Sequence, residues 1–125
     1  VRVPLALKCV DNILVIEYIG DDYIALQLKN HTPQDKEAFF NQIIECMRLL
    51  WQKANLVHGD LSAFNILNYN ENPVFIDFSQ GTDIRSSNAI ELLERDIRNV
   101  CVYFRNQGIK NPNEAELKKK IMKGK

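Results

Sequence analysis

The stretch whose reading decides the fold is Leu56-Val57-His58-Gly59-Asp60-Leu61-Ser62-Ala63-Phe64-Asn65-Ile66-Leu67-Asn68-Tyr69. It is followed by the turn Asn70-Glu71-Asn72 and by Pro73-Val74-Phe75-Ile76-Asp77-Phe78. The apolar runs Ile66 to Tyr69 and Pro73 to Phe78 predict a β-hairpin, with Pro73 acceptable only at a strand start. His58 to Asn65 is polar and predicts a loop. Two carboxylates, Asp60 and Asp77, and the carboxamide of Asn65 thus fall on loop and strand-end positions, where the backbone can make side chains converge. Phosphoryl transfer from a nucleotide needs such a set: oxygen ligands for a hard cation, and an acceptor or orienting group beside the attacking oxygen. On that chemistry Asn65 and Asp77 are candidate Mg2+ ligands and Asp60 is the candidate catalytic carboxylate. Either aspartate alone reads as an ordinary turn or strand-end residue; the order and spacing of all three carry the specificity.

Upstream, Leu5 to Val10 and Ile13 to Ile19 predict an antiparallel strand pair around Asp11-Asn12, ending at Gly20-Asp21-Asp22. Tyr23 to Lys29 is ambiguous. A helix is predicted next, with Thr32 as cap, Pro33 at its first position, and Asp35 and Glu37 near the positive end of the dipole. Its apolar stripe is Phe40, Ile43, Ile44, Met47, Leu50, Trp51 and Ala54, and Asn55 is a left-handed stop. Downstream, Ser86 or Ser87 is expected to cap a second helix carrying Ile90, Leu93, Ile97, Val100, Cys101 and Phe104, closed near Gly108. A third, short helix is predicted with Asn111 as cap, Pro112 first and Glu114 completing a capping box, burying Leu117 and Ile121.

The 125 residues, 46% hydrophobic and 26% charged, suffice for one domain with a core and not for two. Sixteen basic residues balance sixteen acidic ones, which excludes a surface that is basic throughout. A local patch is left: Lys110 to Lys125 holds six lysines against Glu114 and Glu116. No apolar run approaches the ~18 residues of a membrane span, and Val1-Arg2-Val3-Pro4 lacks the layout of a signal peptide. The missing initiator Met leads to the expectation that the chain begins inside a longer protein. Cys9, Cys46 and Cys101 are odd in number and far apart, so neither a disulfide framework nor a metal site is expected, and the compartment is expected to be reducing.

His58-Gly59-Asp60-Leu61-x-x-x-Asn65 resembles the protein-kinase catalytic loop H-R-D-L-x-x-x-N, and Ile76-Asp77-Phe78 resembles the start of D-F-G. Leu61-Ser62-Ala63-Phe64-Asn65, Ser79-Gln80 and Arg95-Asp96-x-x-Asn99-Val100 narrow the resemblance to the RIO family of atypical kinases, its first subfamily, over about Pro4 to Gly108. The resemblance implies an α+β, protein-kinase-like fold: a mostly helical C-lobe with a catalytic-loop hairpin and a short N-terminal strand pair. Residues 1–20 would end the N-lobe strands and form the hinge, 21–109 the C-lobe, and 110–125 a basic helix or tail. It implies Asp60 as the catalytic residue and Asn65 and Asp77 as ligands of Mg2+. ATP would lie against the backbone of Glu17 and Ile19, with Leu67 and Ile76 as an apolar floor. Further implications are serine/threonine kinase or ATPase activity, a cytoplasmic location without a membrane partner, and a part in small ribosomal subunit maturation. The lysine-rich end would then touch ribosomal RNA or simply be a solvated helix end. His58 would prop the loop through packing and a backbone hydrogen bond, with Asp96 as its partner and as a pin for the loop.

Two departures from the ordinary kinase pattern have consequences. Gly59 replaces the usual Arg, which removes the cation that pairs with a phosphorylated activation loop, and only about ten residues follow Asp77 before the next helix, short by ordinary loop lengths. A linear substrate peptide is therefore not expected to be read. No G-x-G-x-x-G loop is present and Lys8 stands too near the hinge to be the phosphate-anchoring lysine, so weak ATP binding and little turnover are expected of this chain alone. Three alternatives stay open: an aminoglycoside- or choline-type small-molecule kinase, the small kinase of the tRNA-modifying KEOPS complex, and a noncatalytic lobe that docks a partner.

Overall fold

A computed structural model describes residues 5–10, 13–18, 26–27, 32–110 and 112–123. Strands β1 (Leu5–Val10) and β2 (Ile13–Tyr18) form the expected antiparallel pair, with Leu5 opposite Tyr18 and Val10 opposite Ile13. β3 is the short segment Leu26–Gln27 within the stretch that was ambiguous in sequence. Helix α1 spans Lys36–Lys53, β4 Leu56–Val57, β5 Ile66–Tyr69, β6 Asn72–Phe75 and β7 Thr82–Asp83. Helices α2 (Ala89–Asn106) and α3 (Glu114–Met122) complete the chain. One five-stranded sheet has the order β2-β1-β6-β5-β3, and β4 pairs with β7 in a second. The N-terminal pair is thus hydrogen-bonded to the hairpin strand β6, through Leu7 opposite Phe75 and Lys8 opposite Val74.

The face of the sheet carrying Leu7, Ile66 and Phe75 is buried in the same core as α1. That helix is apolar well beyond its predicted stripe: Phe39, Cys46 and Leu49 are buried along with Phe40, Ile43, Ile44, Met47, Leu50 and Trp51. It meets the sheet, β4 and α3, so it needs more than one apolar side. Phe104 of α2 packs edge-on against Phe40 at 5.4 Å between ring centres. Ile121 anchors α3 in this core, while Gln52 of α1 donates to the carbonyls of Ile121, at 3.0 Å, and Lys123. Ile90, expected on the buried stripe of α2, is exposed; Ala89 and Asp96 are buried instead.

All three helix starts differ from the sequence expectation. Asp35, not Thr32, caps α1 by accepting from Ala38 N at 3.0 Å. The N–H groups of Gln34 and Asp35 are held by the Glu71 carboxylate, at 2.8 and 3.2 Å, which keeps the preceding residues out of the helix. Neither Ser86 nor Ser87 caps α2, because that segment forms a turn with Ser86 N donating to Asp83 O and Ala89 N to Ser86 O; Asn88 is the cap residue and makes no side-chain cap bond. Asn113 caps α3 by accepting from Glu116 N at 3.1 Å, so Pro112 precedes the helix; Asn111 lies outside the described residues. The left-handed stop at Asn55 is present, with φ 57°, and Gly108 follows α2 with φ 102°.

The cysteine expectation is also corrected. Cys9 of β1 and Cys46 of α1 form a disulfide across 37 residues, because β1 lies over α1 and turns Cys9 toward it; Cys101 is the free, buried cysteine. Burial pushes the Cys101 thiol up to about 11, with Glu114 adding to the rise.

Candidate active site

The site is built at one end of the hairpin. β5 and β6 pair with Ile66 opposite Phe75 and Leu67 opposite Val74, and Ile76 N extends the ladder by donating to Asn65 O at 2.9 Å. Asn65 and Asp77, twelve residues apart in sequence, are thereby adjacent across the strand ends. Side chains alternate along a strand, so Asn65, Leu67, Val74 and Ile76 share the face opposite the α1 core. Leu67 and Val74 are buried and Ile76 half-buried. The register of β1 against β6, carried on by one residue, sets Ala6 beside Ile76, and Ala6 pairs with Glu17. The Glu17 backbone therefore stands roughly 10 Å, two strand spacings, from Ile76. Ile19 lies outside the described residues.

Asp60 is exposed on the loop before β5. Asn65 Nδ2 donates to Asp60 O at 2.8 Å and approaches Asp60 Oδ2 at 3.4 Å, which ties the two residues together and turns the amide oxygen of Asn65 the other way. Asp77, two residues beyond β6, is in the left-handed region, φ 59°, a conformation short polar side chains tolerate better than others. Its Oδ1 accepts from Ser79 Oγ at 2.8 Å and more weakly from Ser79 N at 3.4 Å. That brace was missed in sequence, where Ser79 stands where D-F-G has glycine and, with Gln80, only narrows the family resemblance; a serine two residues after an aspartate is nevertheless the pattern of a local side-chain turn.

The loop rests on buried polar groups. His58, 1% exposed, uses both nitrogens: Nδ1 accepts from Asp60 N at 3.1 Å, so Nε2 carries the proton donated to Ile76 O at 2.7 Å. Its ring lies 4.7 Å from Phe78. The expected propping role is thus observed, but the hydrogen-bond partners of the ring are the backbones of Asp60 and Ile76 rather than Asp96. Asp96 is wholly buried and pins the loop backbone, accepting from Gly59 N at 2.8 Å and Leu61 N at 3.0 Å. Burial pushes its carboxyl above the usual range, against the pull of those two N–H groups and of Arg95. Arg95 donates to Gly59 O, and Asn99 Nδ2 to Leu61 O at 3.2 Å.

Gly59 explains its own presence. It has φ +86°, and a Cβ there would stand 2.7 Å from the backbone oxygen of Gln80. The His58–Asn65 loop and the turn after Asp77 are therefore in backbone contact, which an arginine at position 59 would prevent.

Among the described residues no group of three or more His, Cys, Asp and Glu side chains could hold a metal alone. The donor set at the hairpin end, one carboxylate and one carboxamide oxygen, fits a different kind of site. Mg2+ keeps several waters and is commonly held by one or two protein oxygens together with substrate phosphates. Asn65 and Asp77 are the residues that would hold it.

The RIO domain pattern matches residues 1–117 of the chain. The chain is 40% identical over 110 residues to the RIO-type serine/threonine-protein kinase Rio1 of Methanocaldococcus jannaschii, covering 87% of itself and 38% of that protein. It is 34% identical over 119 residues to the serine/threonine-protein kinase RIO3 of Homo sapiens, covering 91% of itself and 23% of that protein. Among solved structures it is similar to the Rio2 kinase-ADP/Mg2+-phosphoaspartate complex from Chaetomium thermophilum, with a TM-score of 0.59 and 23% identity over 88% of this chain and 36% of that one. The expected α+β, kinase-like fold is the observed one, and the chain spans well under half the length of these relatives.

Proposed function

The chain belongs to the RIO domain family, and from that premise we propose that its hairpin end is the ATP- and Mg2+-dependent phosphoryl-transfer site of an atypical serine/threonine kinase or ATPase. The observation that supports the reading is that two contacts, Ile76 N to Asn65 O and Asn65 Nδ2 to Asp60 O, set the backbones of Asp60, Asn65 and Asp77 side by side at one end of the hairpin. The chain's own residues divide the work. Asp60, exposed and backbone-anchored, accepts from or orients the attacking group. Asn65 and Asp77 present oxygens to the cation, which when bound would neutralise charge on the phosphates. Leu67 and Ile76 offer apolar surface to the adenine ring, and the backbone of Glu17 and Ile19 its hydrogen-bonding edge. Asp60 and Asp77 are both candidates for a phosphorylated side chain, given the phosphoaspartate named for the Rio2 neighbour.

This reading includes little turnover from the chain alone, because phosphates held by one wall stay in water, where charge interactions are weakened many-fold. Calorimetric titration with ATP and Mg2+ is expected to give binding weaker than micromolar that depends on Mg2+ and loses that dependence in Asp77→Asn. Binding indifferent to both Mg2+ and Asp77 would overturn the assignment. The reading also excludes recognition of a linear peptide: the segment after Asp77 is occupied by the Phe78–Gln80 turn and by β7, which pairs with β4. A strong consensus from a peptide-library phosphorylation screen would contradict it. A cytoplasmic setting in small-subunit maturation belongs to the same proposal and predicts co-sedimentation with small-subunit precursors. The lysines of α3 are available for RNA there, although Lys118 is already engaged with Glu94 at 2.9 Å.

A further inference from the structure

The two peptide units that flank Asp60 have all four polar groups bound, each to a different residue. In the first, Gly59 C=O accepts from the Arg95 guanidinium and Asp60 N–H donates to His58 Nδ1. In the second, Asp60 C=O accepts from Asn65 and Leu61 N–H donates to Asp96. The next carbonyl, Leu61 C=O, is taken by Asn99. Arg95, Asp96 and Asn99 lie within one turn of α2, so a single helix face grips the loop on both sides of its one exposed carboxylate. Among the described residues Asp96 accepts from N–H groups, whereas Arg95 and Asn99 donate to carbonyls.

We propose that Arg95 and Asn99 are positioning residues for Asp60: they fix the carbonyls on either side of it and so set the direction in which its carboxylate leaves the loop. The proposal rests on the reading of Asp60 as the catalytic group. A peptide unit held at one end can rotate about the chain; held at both, it cannot, and Asp60 is left with only its side-chain torsions. Such control matters because a misplacement of about 1 Å at a reacting group costs on the order of a hundredfold in rate. The buried Asp96 supplies the anchor, but its two N–H bonds leave the Gly59 carbonyl before Asp60 to be fixed by Arg95 and the Leu61 carbonyl after it to be fixed by Asn99.

The test uses the whole chain with Arg95→Met, Asn99→Leu and the conservative Arg95→Lys, read by amide hydrogen exchange and by urea unfolding. In Arg95→Met and Asn99→Leu the amides of Asp60 and Leu61 should exchange roughly tenfold faster or more, while those of Ile43 and Leu93 in the helices keep their protection. Arg95→Lys, which keeps a donor, should restore protection of the loop. Equal acceleration at loop and helix amides would show general destabilisation and overturn the proposal, as would no acceleration at all. Mn2+ line-broadening in the unsubstituted chain separates the two readings. Its absence at Asn65 and Asp77 would refute the metal assignment, while the exchange result would still decide whether Arg95 and Asn99 hold the loop.

Discussion

A side chain at position 59 has nowhere to go, because the left-handed backbone and the Gln80 carbonyl oppose it together. Gly59→Ala should cost about 2–3 kcal/mol in urea unfolding, from backbone strain plus displacement of the Phe78–Gln80 turn; an unchanged midpoint would show that the two loops part without penalty. At position 83 the argument is one of pH. Three hydrogen bonds from Arg85, two from its guanidinium and one from its backbone N–H, hold the exposed Asp83 carboxyl down to about 2. Its folded value lies below its unfolded one, so its contribution is present above the unfolded value of 3.8 and is lost as the pH falls through about 2. The Asp83 carboxyl carbon should titrate with that low midpoint by NMR, and Arg85→Ala, which removes the guanidinium but keeps the backbone N–H, should raise it part of the way toward the ordinary range. At this scale Asp60, Asn65 and Asp77 were legible in sequence because their chemistry resides in their own side-chain oxygens. Arg95, Asn99 and Ser79 were not assigned roles, since a hydrogen bond to another residue's backbone or to a nearby carboxylate leaves no periodicity to read.

Between elements, the hairpin and α1 are joined by one glutamate. Asn70 and Glu71 both have positive φ, 51° and 67°, as the tight two-residue hairpin turn requires. Glu71 then accepts from Gln34 N, Asp35 N and Asn68 Nδ2, while its own carbonyl accepts from Gln42 of α1 at 3.2 Å. Glu71→Ala should lower stability by about 1–2 kcal/mol, as the loss of a helix cap does, and should raise exchange in the first turn of α1 before that of its middle. Uniform exchange along α1 would contradict this. The same glutamate shows why helix bodies were legible and helix starts were not. Apolar periodicity marks Phe40 to Trp51 unambiguously, but the residue that stops the helix from extending back to Thr32 lies nearly forty positions away. Capping rules see only the neighbourhood of Thr32, Asp35 and Glu37, all of which are plausible starts there.

For the whole molecule, the sheet that carries the site is fastened to α1 by the Cys9–Cys46 bond as well as by packing. Nothing in the spacing of three cysteines discloses this, because the pairing follows from β1 lying over α1, a contact between distant segments. Reduction should lower the unfolding free energy by about 3–4 kcal/mol, the amount expected for closing a loop of this length. Denaturant melts with and without dithiothreitol, compared with Cys9→Ser, would measure it; equal midpoints would mean that the reduced chain holds the sheet by packing alone. The bond also changes the topology of the chain, since residues 9 to 46 form a closed ring that includes β2, β3 and more than half of α1. Drawn out by its two ends, as between an optical trap and a surface, the oxidised chain bypasses that ring. Its fully extended length would be shorter than that of the reduced chain by about 130 Å, the reach of the bridged segment.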